Sequence, residues 1–159
     1  YIKDALEIIM TKGEDDVIDF IENARKEFAE LRPDEIAFPR SISEINKWIS
    51  RTDMYNKGCP IHVRGAILYN HYTKKAGLDS KYPAIQSGEK IKFCYMKVPN
   101  TIQENVFSFI QEFPKGLDLE KYIDYDAQFN KSFIEPMKII LNAIGWSVEK
   151  KVSLESFFV

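Results

Sequence analysis

The segment Cys59-Pro60-Ile61-His62-Val63-Arg64-Gly65-Ala66-Ile67-Leu68-Tyr69-Asn70 places a thiol, an imidazole, a guanidinium and an amide along the start of one expected helix. The chemistry these residues suit is anion binding. Pro60 belongs just outside the helix or in its first turn, where a missing N–H costs nothing, and the orphan N–H groups there favour a phosphate oxygen. Arg64 and Asn70 would flank that oxygen. Taken alone, an apolar helix opened by proline with one arginine is more often ordinary structure. The compact pair of carboxylates is Asp124 and Asp126, on either side of Tyr125. Metal-assisted nucleotidyl transfer needs carboxylates that converge on two divalent ions about 3.5 to 4 Å apart. Asp124 and Asp126 lie in a helical pattern, where residues two apart point to different faces, so the sequence argues against that use. Cys59-x-x-His62 has no matching second pair for zinc, and neither His71 nor Cys94 supplies one. No Gly-rich phosphate loop and no Ser/His/Asp set stands out.

The elements that must position these groups follow from hydrophobic period. Ile2, Ala5, Leu6 and Ile9 recur at helical spacing up to Gly13, and Val17, Ile21, Ala24, Phe28 and Leu31 give a second helix ending before Pro33, with acidic residues in its first turn. Asp34 to Phe38 reads as a short strand stopped by Pro39. Ser41-x-x-Glu44 reads as a capping box opening a helix through Trp48 and Ile49, with Arg40 and Lys47 at its two ends. A polar connection over 51–60 leads into the helix of the opening segment, which should run to about Gly77. Lys90 to Val98 begins with polar and apolar residues in alternation, the mark of a half-buried strand, with Lys90 and Lys92 on its wet face. Asn105 to Phe109 is too short for periodicity to decide between a partner strand and a short helix; Pro114 and Gly116, which close the unit, favour the strand. From Leu119 a long helical pattern runs to Gly145, and Pro136 should kink or restart it.

With 159 residues, 45% hydrophobic and 13% aromatic, the chain can bury a core and is not disordered. No apolar run reaches the roughly 18 residues of a membrane span, and two cysteines make no secreted disulfide framework. A soluble protein with reduced thiols, in the cytoplasm, is expected. The start at Tyr1, without Met and already in helical pattern, points to a piece of something longer. The net charge of −2 conceals a division: residues 1–35 carry 5 basic and 11 acidic side chains, residues 36–97 carry 11 and 4, and residues 98–159 carry 6 and 9. The middle third is a basic block, and local sign governs attraction of a polyanion because exposed charges are screened beyond roughly 8 to 10 Å. At the chain end, Leu154, Phe157 and Phe158 fall at i, i+3 and i+4, so one helical turn would gather them on one face. Such a tail either folds back on its own core or plugs a partner's hydrophobic groove.

In order along the chain, the Ala5-Leu6 helix, Gly13-Glu14, Cys59 to Gly65 with Tyr69-Asn70, Gly88-Glu89-Lys90, Ile123-Asp124-Tyr125, Lys131-Ser132-Phe133-Ile134 with Pro136, and Lys150-Lys151 before the tail resemble the thumb domain of family-B replicative DNA polymerases of the tailed-bacteriophage type. The ordered set is far more specific than any member. The resemblance implies an α+β, mostly α-helical fold: a thumb-like duplex-binding domain over 1–149, with a small antiparallel β subdomain at about 85–114, and a clamp-binding tail over 150–159. It implies that the thumb wraps primer–template duplex DNA behind a palm domain and that the extreme C-terminus binds the ring-shaped sliding clamp during DNA replication.

A polymerase must hold every sequence alike, so contacts should go to phosphates and sugars. On the resemblance these fall to Arg40, Lys47, Lys57, Arg64, Asn70 and Lys131, with His62 bonding a phosphate or bracing Arg64, and with Lys90 and Lys92 as second choices. The clamp anchors would be Leu154, Phe157 and Phe158; Lys151 stands where that peptide usually has Gln. Glu135 stands where a basic residue is expected, and should not touch phosphate. The catalytic carboxylates and their Mg2+ would belong to the palm, outside this chain, leaving this piece of a nucleotidyltransferase without a catalytic residue, metal or other cofactor of its own. Expected partners are duplex DNA, the clamp and the palm, and no membrane; if the source is viral, the compartment is the host cytoplasm. Two rival classes remain: a small metal-dependent nuclease or nucleotidyltransferase using Asp124 and Asp126, and a freestanding nucleic-acid or protein interaction module.

Overall fold

The computed structural model describes residues 1–149; the expected tail, with Leu154, Phe157 and Phe158, lies outside the described residues. The architecture is α+β and mostly helical, with a small three-stranded antiparallel sheet. Two units form, one from residues 1–31 and 129 onward, the other from residues 32–128. Among the described residues no helix is long and apolar enough to cross a membrane.

The first unit contains α1 (Ile2–Thr11) and α2 (Glu14–Phe28), which pack around Ala5, Val17, Ile21 and Phe28 as their period requires. Gly13 separates them, and the Asp16 carboxylate accepts the Gly13 N–H at 3.2 Å, capping α2. The expected long C-terminal helix is broken into pieces. A 3-10 turn (Glu120–Tyr122) and α6 (Tyr125–Phe129), which belong to the second unit up to Gln128, come first, then a π-helical turn (Asn130–Ile134), then α7 (Glu135–Ala143). Pro136 lies in the first turn of α7 and has no N–H to give, and its ring crowds the carbonyl four residues before it, so the turn ahead of it widens. That widening has a packing consequence. Phe129, Phe133, Met137 and Leu141 are spaced by four and are all buried; in a helix of 3.6 residues per turn they would drift around the axis, and the wider turn brings them back into line. The Phe129 and Phe133 rings lie 5.2 Å apart, with Phe28 5.2 Å from Phe129 and Tyr1 5.8 Å from Phe133.

The second unit is built on the sheet. It contains α3 (Pro33–Ile36), β1 (Phe38–Ser41), α4 (Ile45–Trp48), α5 (Ile61–Lys75), β2 (Lys90–Tyr95) and β3 (Val106–Phe109), in the sheet order β1-β2-β3. β1 pairs antiparallel with β2 so that Phe38 faces Phe93 and Ser41 faces Lys90, and β2 pairs with β3 so that Lys92 faces Phe109 and Tyr95 faces Val106.

Two local expectations are corrected here. Asp34 to Ile36 is helical, because Pro33 presets the backbone of a first turn and the Glu35 carboxylate accepts the Arg32 N–H at 3.0 Å. The strand therefore starts at Phe38 and runs through Pro39, which an edge strand tolerates. Ser41 caps nothing: it ends β1, and pairing continues beyond it through Ile42 N to Glu89 O (2.9 Å) and Gly88 N to Ile42 O (2.7 Å). Helix α4 is instead capped from far along the chain, Ile45 N donating to Ser87 Oγ at 3.0 Å.

Helix α5 runs against β3, and Gly65 makes the approach close: a Cβ there would overlap Ser108 Oγ and lie 2.9 Å from Ser108 N. Ser108 Oγ in turn donates to His62 O at 2.9 Å, tying the start of α5 to the strand. Buried Gln128 joins two elements, donating from Nε2 to Ile36 O (2.9 Å) and accepting from Tyr95 N (2.8 Å).

Candidate nucleic-acid interface

The structure sorts the expected contact residues by where their side chains are spent. Arg40 and His62 come together, one on β1 and the other in the first turn of α5. The Arg40 guanidinium lies 5.5 Å from the centre of the Phe93 ring and donates to Pro39 O at 2.8 Å, and the His62 ring sits 6.3 Å from the same phenylalanine. Burial, and after it the Arg40 charge, hold the His62 imidazole below its ordinary 6.5, against a hydrogen bond with the Ser41 backbone that raises it. His62 does not brace Arg64. Two residues apart on a helix, they point to different faces.

Lys47 and Lys57 occupy a second exposed region. Lys47 Nζ lies 4.0 Å from Glu44 Oε2 and 5.2 Å from the Trp48 ring. Asn56 folds the 51–60 connection back onto α4, its Nδ2 donating to Lys47 O at 3.1 Å and its N to Trp48 O at 2.8 Å. Lys57 follows on this connection, and Gly58, with φ of +86°, makes the turn beside the Trp48 ring. An exposed ion pair at 4.0 Å is worth little, so Lys47 can exchange Glu44 for another anion at small cost.

Arg64 is engaged. Its Nη1 lies 3.2 Å from Glu104 Oε2, its guanidinium sits 5.6 Å from the Tyr55 ring centre, and Tyr55 OH donates to Glu104 Oε1 at 2.8 Å. The Arg64 and Glu104 side chains are only 21% and 19% exposed. Burial, then the bond to Glu104, raise the Tyr55 hydroxyl pKa, with Arg64 opposing. Asn70 is a strut: its Oδ1 accepts from Ile85 N at 2.7 Å and its Nδ2 donates to Ile85 O at 2.9 Å, so both amide atoms are engaged with the Ile85 backbone. Lys92 donates to Asp34 O at 3.1 Å, whereas Lys90 is exposed at the end of β2. Lys131 is exposed on the π-helical turn of the other unit.

Asp124 has a structural use. Asp124 Oδ1 accepts from Ala127 N at 3.0 Å, as an N-cap of α6 does. Among the described residues no group of three or more His, Cys, Asp or Glu side chains is placed to hold a metal ion.

No family model matches the sequence. Over 161 residues the chain is 26% identical to the DNA-directed DNA polymerase of Enterobacteria phage T4, in an alignment that covers 99% of this chain and 17% of that protein. Over 108 residues it is 28% identical to the DNA-directed DNA polymerase of Escherichia phage RB69, covering 63% of this chain and 11% of that protein. Both relatives are phage DNA polymerases. The chain spans less than a fifth of the length of either.

Sequence reasoning missed Tyr55, Glu104 and Ser87. None belongs to a periodic run or a motif; each acts through a partner about 40 to 50 positions away, a separation that carries no local signal.

Proposed function

We propose that this chain is the thumb region of a family-B DNA-directed DNA polymerase of the tailed-phage type, with residues 1–149 grasping duplex DNA and the C-terminal tail tethering the enzyme to its sliding clamp. The observation that carries this reading is collinearity: 99% of the chain aligns with one stretch of the phage T4 polymerase. The distribution of charge supports it, since the exposed cations Arg40, Lys47 and Lys57 lie on consecutive elements of the sheet-containing unit. Flexible cations resting on aromatic rings suit phosphates of any sequence, which is what a polymerase product requires. Lys90 adds to this set, Lys131 is a separate candidate on the other unit, Asn70 supports α5, and Asp124 and Asp126 carry no catalysis. The polymerase's Mg2+ chemistry belongs to a palm domain, which with duplex DNA and the clamp completes the list of partners.

Titration of a labelled primer–template duplex at several salt concentrations tests the grip. Affinity should fall steeply with salt, by a log–log slope of about 0.9 for each phosphate neutralised, and Arg40→Ala and Lys47→Ala should each reduce that slope by about this amount. A salt-independent signal would remove the phosphate grip.

A further inference from the structure

Resting on the duplex-binding reading above, we propose that Glu104 is a built-in stand-in for a DNA phosphate: it holds Arg64 and the Tyr55 hydroxyl in the free protein, and a backbone phosphate displaces it from both. The geometry is that of an oxyanion site already filled. Each carboxylate oxygen takes one donor, Oε2 from Arg64 at 3.2 Å and Oε1 from Tyr55 OH at 2.8 Å. A phosphodiester has the same single negative charge and also presents two oxygens, so it can bridge the same guanidinium and hydroxyl. The Tyr55 ring, 5.6 Å from the Arg64 guanidinium, keeps the cation in place whichever anion it faces.

Glu104 is delivered by a braced loop. Asn100 Nδ2 donates to Glu104 O at 2.8 Å and to Lys97 O at 2.7 Å, while Asn100 Oδ1 accepts from Ile102 N at 3.0 Å. The carboxylate is therefore held at the donors by the fold and not by its charge alone. A fifth of each side chain remains open to solvent, a path for a competing anion, and a phosphate that takes over both donors leaves neither the guanidinium nor the hydroxyl unpaired. Until it is exchanged, Glu104 also repels DNA. The arrangement disfavours weak single contacts at this point and yields where the rest of the duplex is already seated.

The test uses the full chain and a fluorescein-labelled duplex of about 20 base pairs. Glu104→Gln removes the charge but keeps the size and an acceptor for Tyr55. It should raise duplex affinity about three- to tenfold at low salt and steepen the log–log salt slope, because no displaced carboxylate is left to take back a counterion. Arg64→Ala added to Glu104→Gln should cancel both gains. Tyr55→Phe, which takes a hydrogen bond from Glu104 and from the phosphate alike and deletes no charge, should leave the salt slope unchanged. Unchanged or weaker binding by Glu104→Gln overturns the proposal. So does a changed salt slope in Tyr55→Phe, which keeps the test open even if the first variant does not fold. If Arg40→Ala and Lys47→Ala still weaken binding in that event, the grip survives and only the Glu104 gate falls; a parent chain whose binding ignores salt overturns both.

Discussion

At the scale of single residues, the cations in this chain divide by what they already hold. Lys47, exposed and 4.0 Å from Glu44, has little to lose; Arg64 must give up a shared carboxylate. His62 adds a proton-linked term. Its folded pKa lies below the ordinary 6.5 because burial and Arg40 disfavour the imidazolium, so the unfolded chain takes up a proton first as pH falls. The stability linked to His62 is fully present above pH 6.5 and is lost as pH falls through the lower folded value. Unfolding midpoints measured between about pH 8 and pH 5 should therefore decline on the acid side in the parent chain and decline less in His62→Ala. Equal pH profiles for the two proteins would contradict this.

At the scale of elements, the helix that begins at Ile61 is held by contacts its sequence does not announce. Gly65 reads as a neutral helix residue, yet its lack of a side chain lets α5 approach β3 until backbone nearly meets backbone. Gly65→Ala would gain helix propensity and lose that approach, and the second effect wins because the obstacles are the Ser108 and Phe107 backbones as well as a hydroxyl. A net loss of about 1 to 3 kcal/mol in urea denaturation is expected; unchanged or increased stability would refute the packing argument. Where periodicity was long and uninterrupted, as in α1, α2, α5 and β2, the elements could be read from the sequence. It failed at Asp34–Ile36, where Pro33 and the Glu35 cap fold one turn of helix, at Ser41, where sheet pairing takes the residue and Ser87, about 40 residues away, caps α4, and along the C-terminal run that Pro136 interrupts.

At the scale of the whole molecule, the proposed tether predicts a separation of functions. In the polymerase that contains this segment, Phe157→Ala with Phe158→Ala should abolish clamp-dependent processivity while leaving distributive synthesis and duplex affinity nearly unchanged. A large buried aromatic is worth roughly 1.5 to 3 kcal/mol, so losing two costs the tail most of its hold. Processivity equal to the parent's would reject the tail as the tether.

The sequence by itself determined the mostly helical α+β class, helices α1, α2 and α5, strands β2 and β3, and the basic middle third. Those follow from period, composition and helix geometry, which are local properties. Only the tertiary structure decided which polar side chains are available. Arg64, Asn70 and Lys92 look like Arg40, Lys47 and Lys57 along the chain, but the first three are engaged by Glu104, Ile85 and Asp34, and the last three remain exposed. Availability depends on partners brought near by folding, and no short-range pattern encodes them.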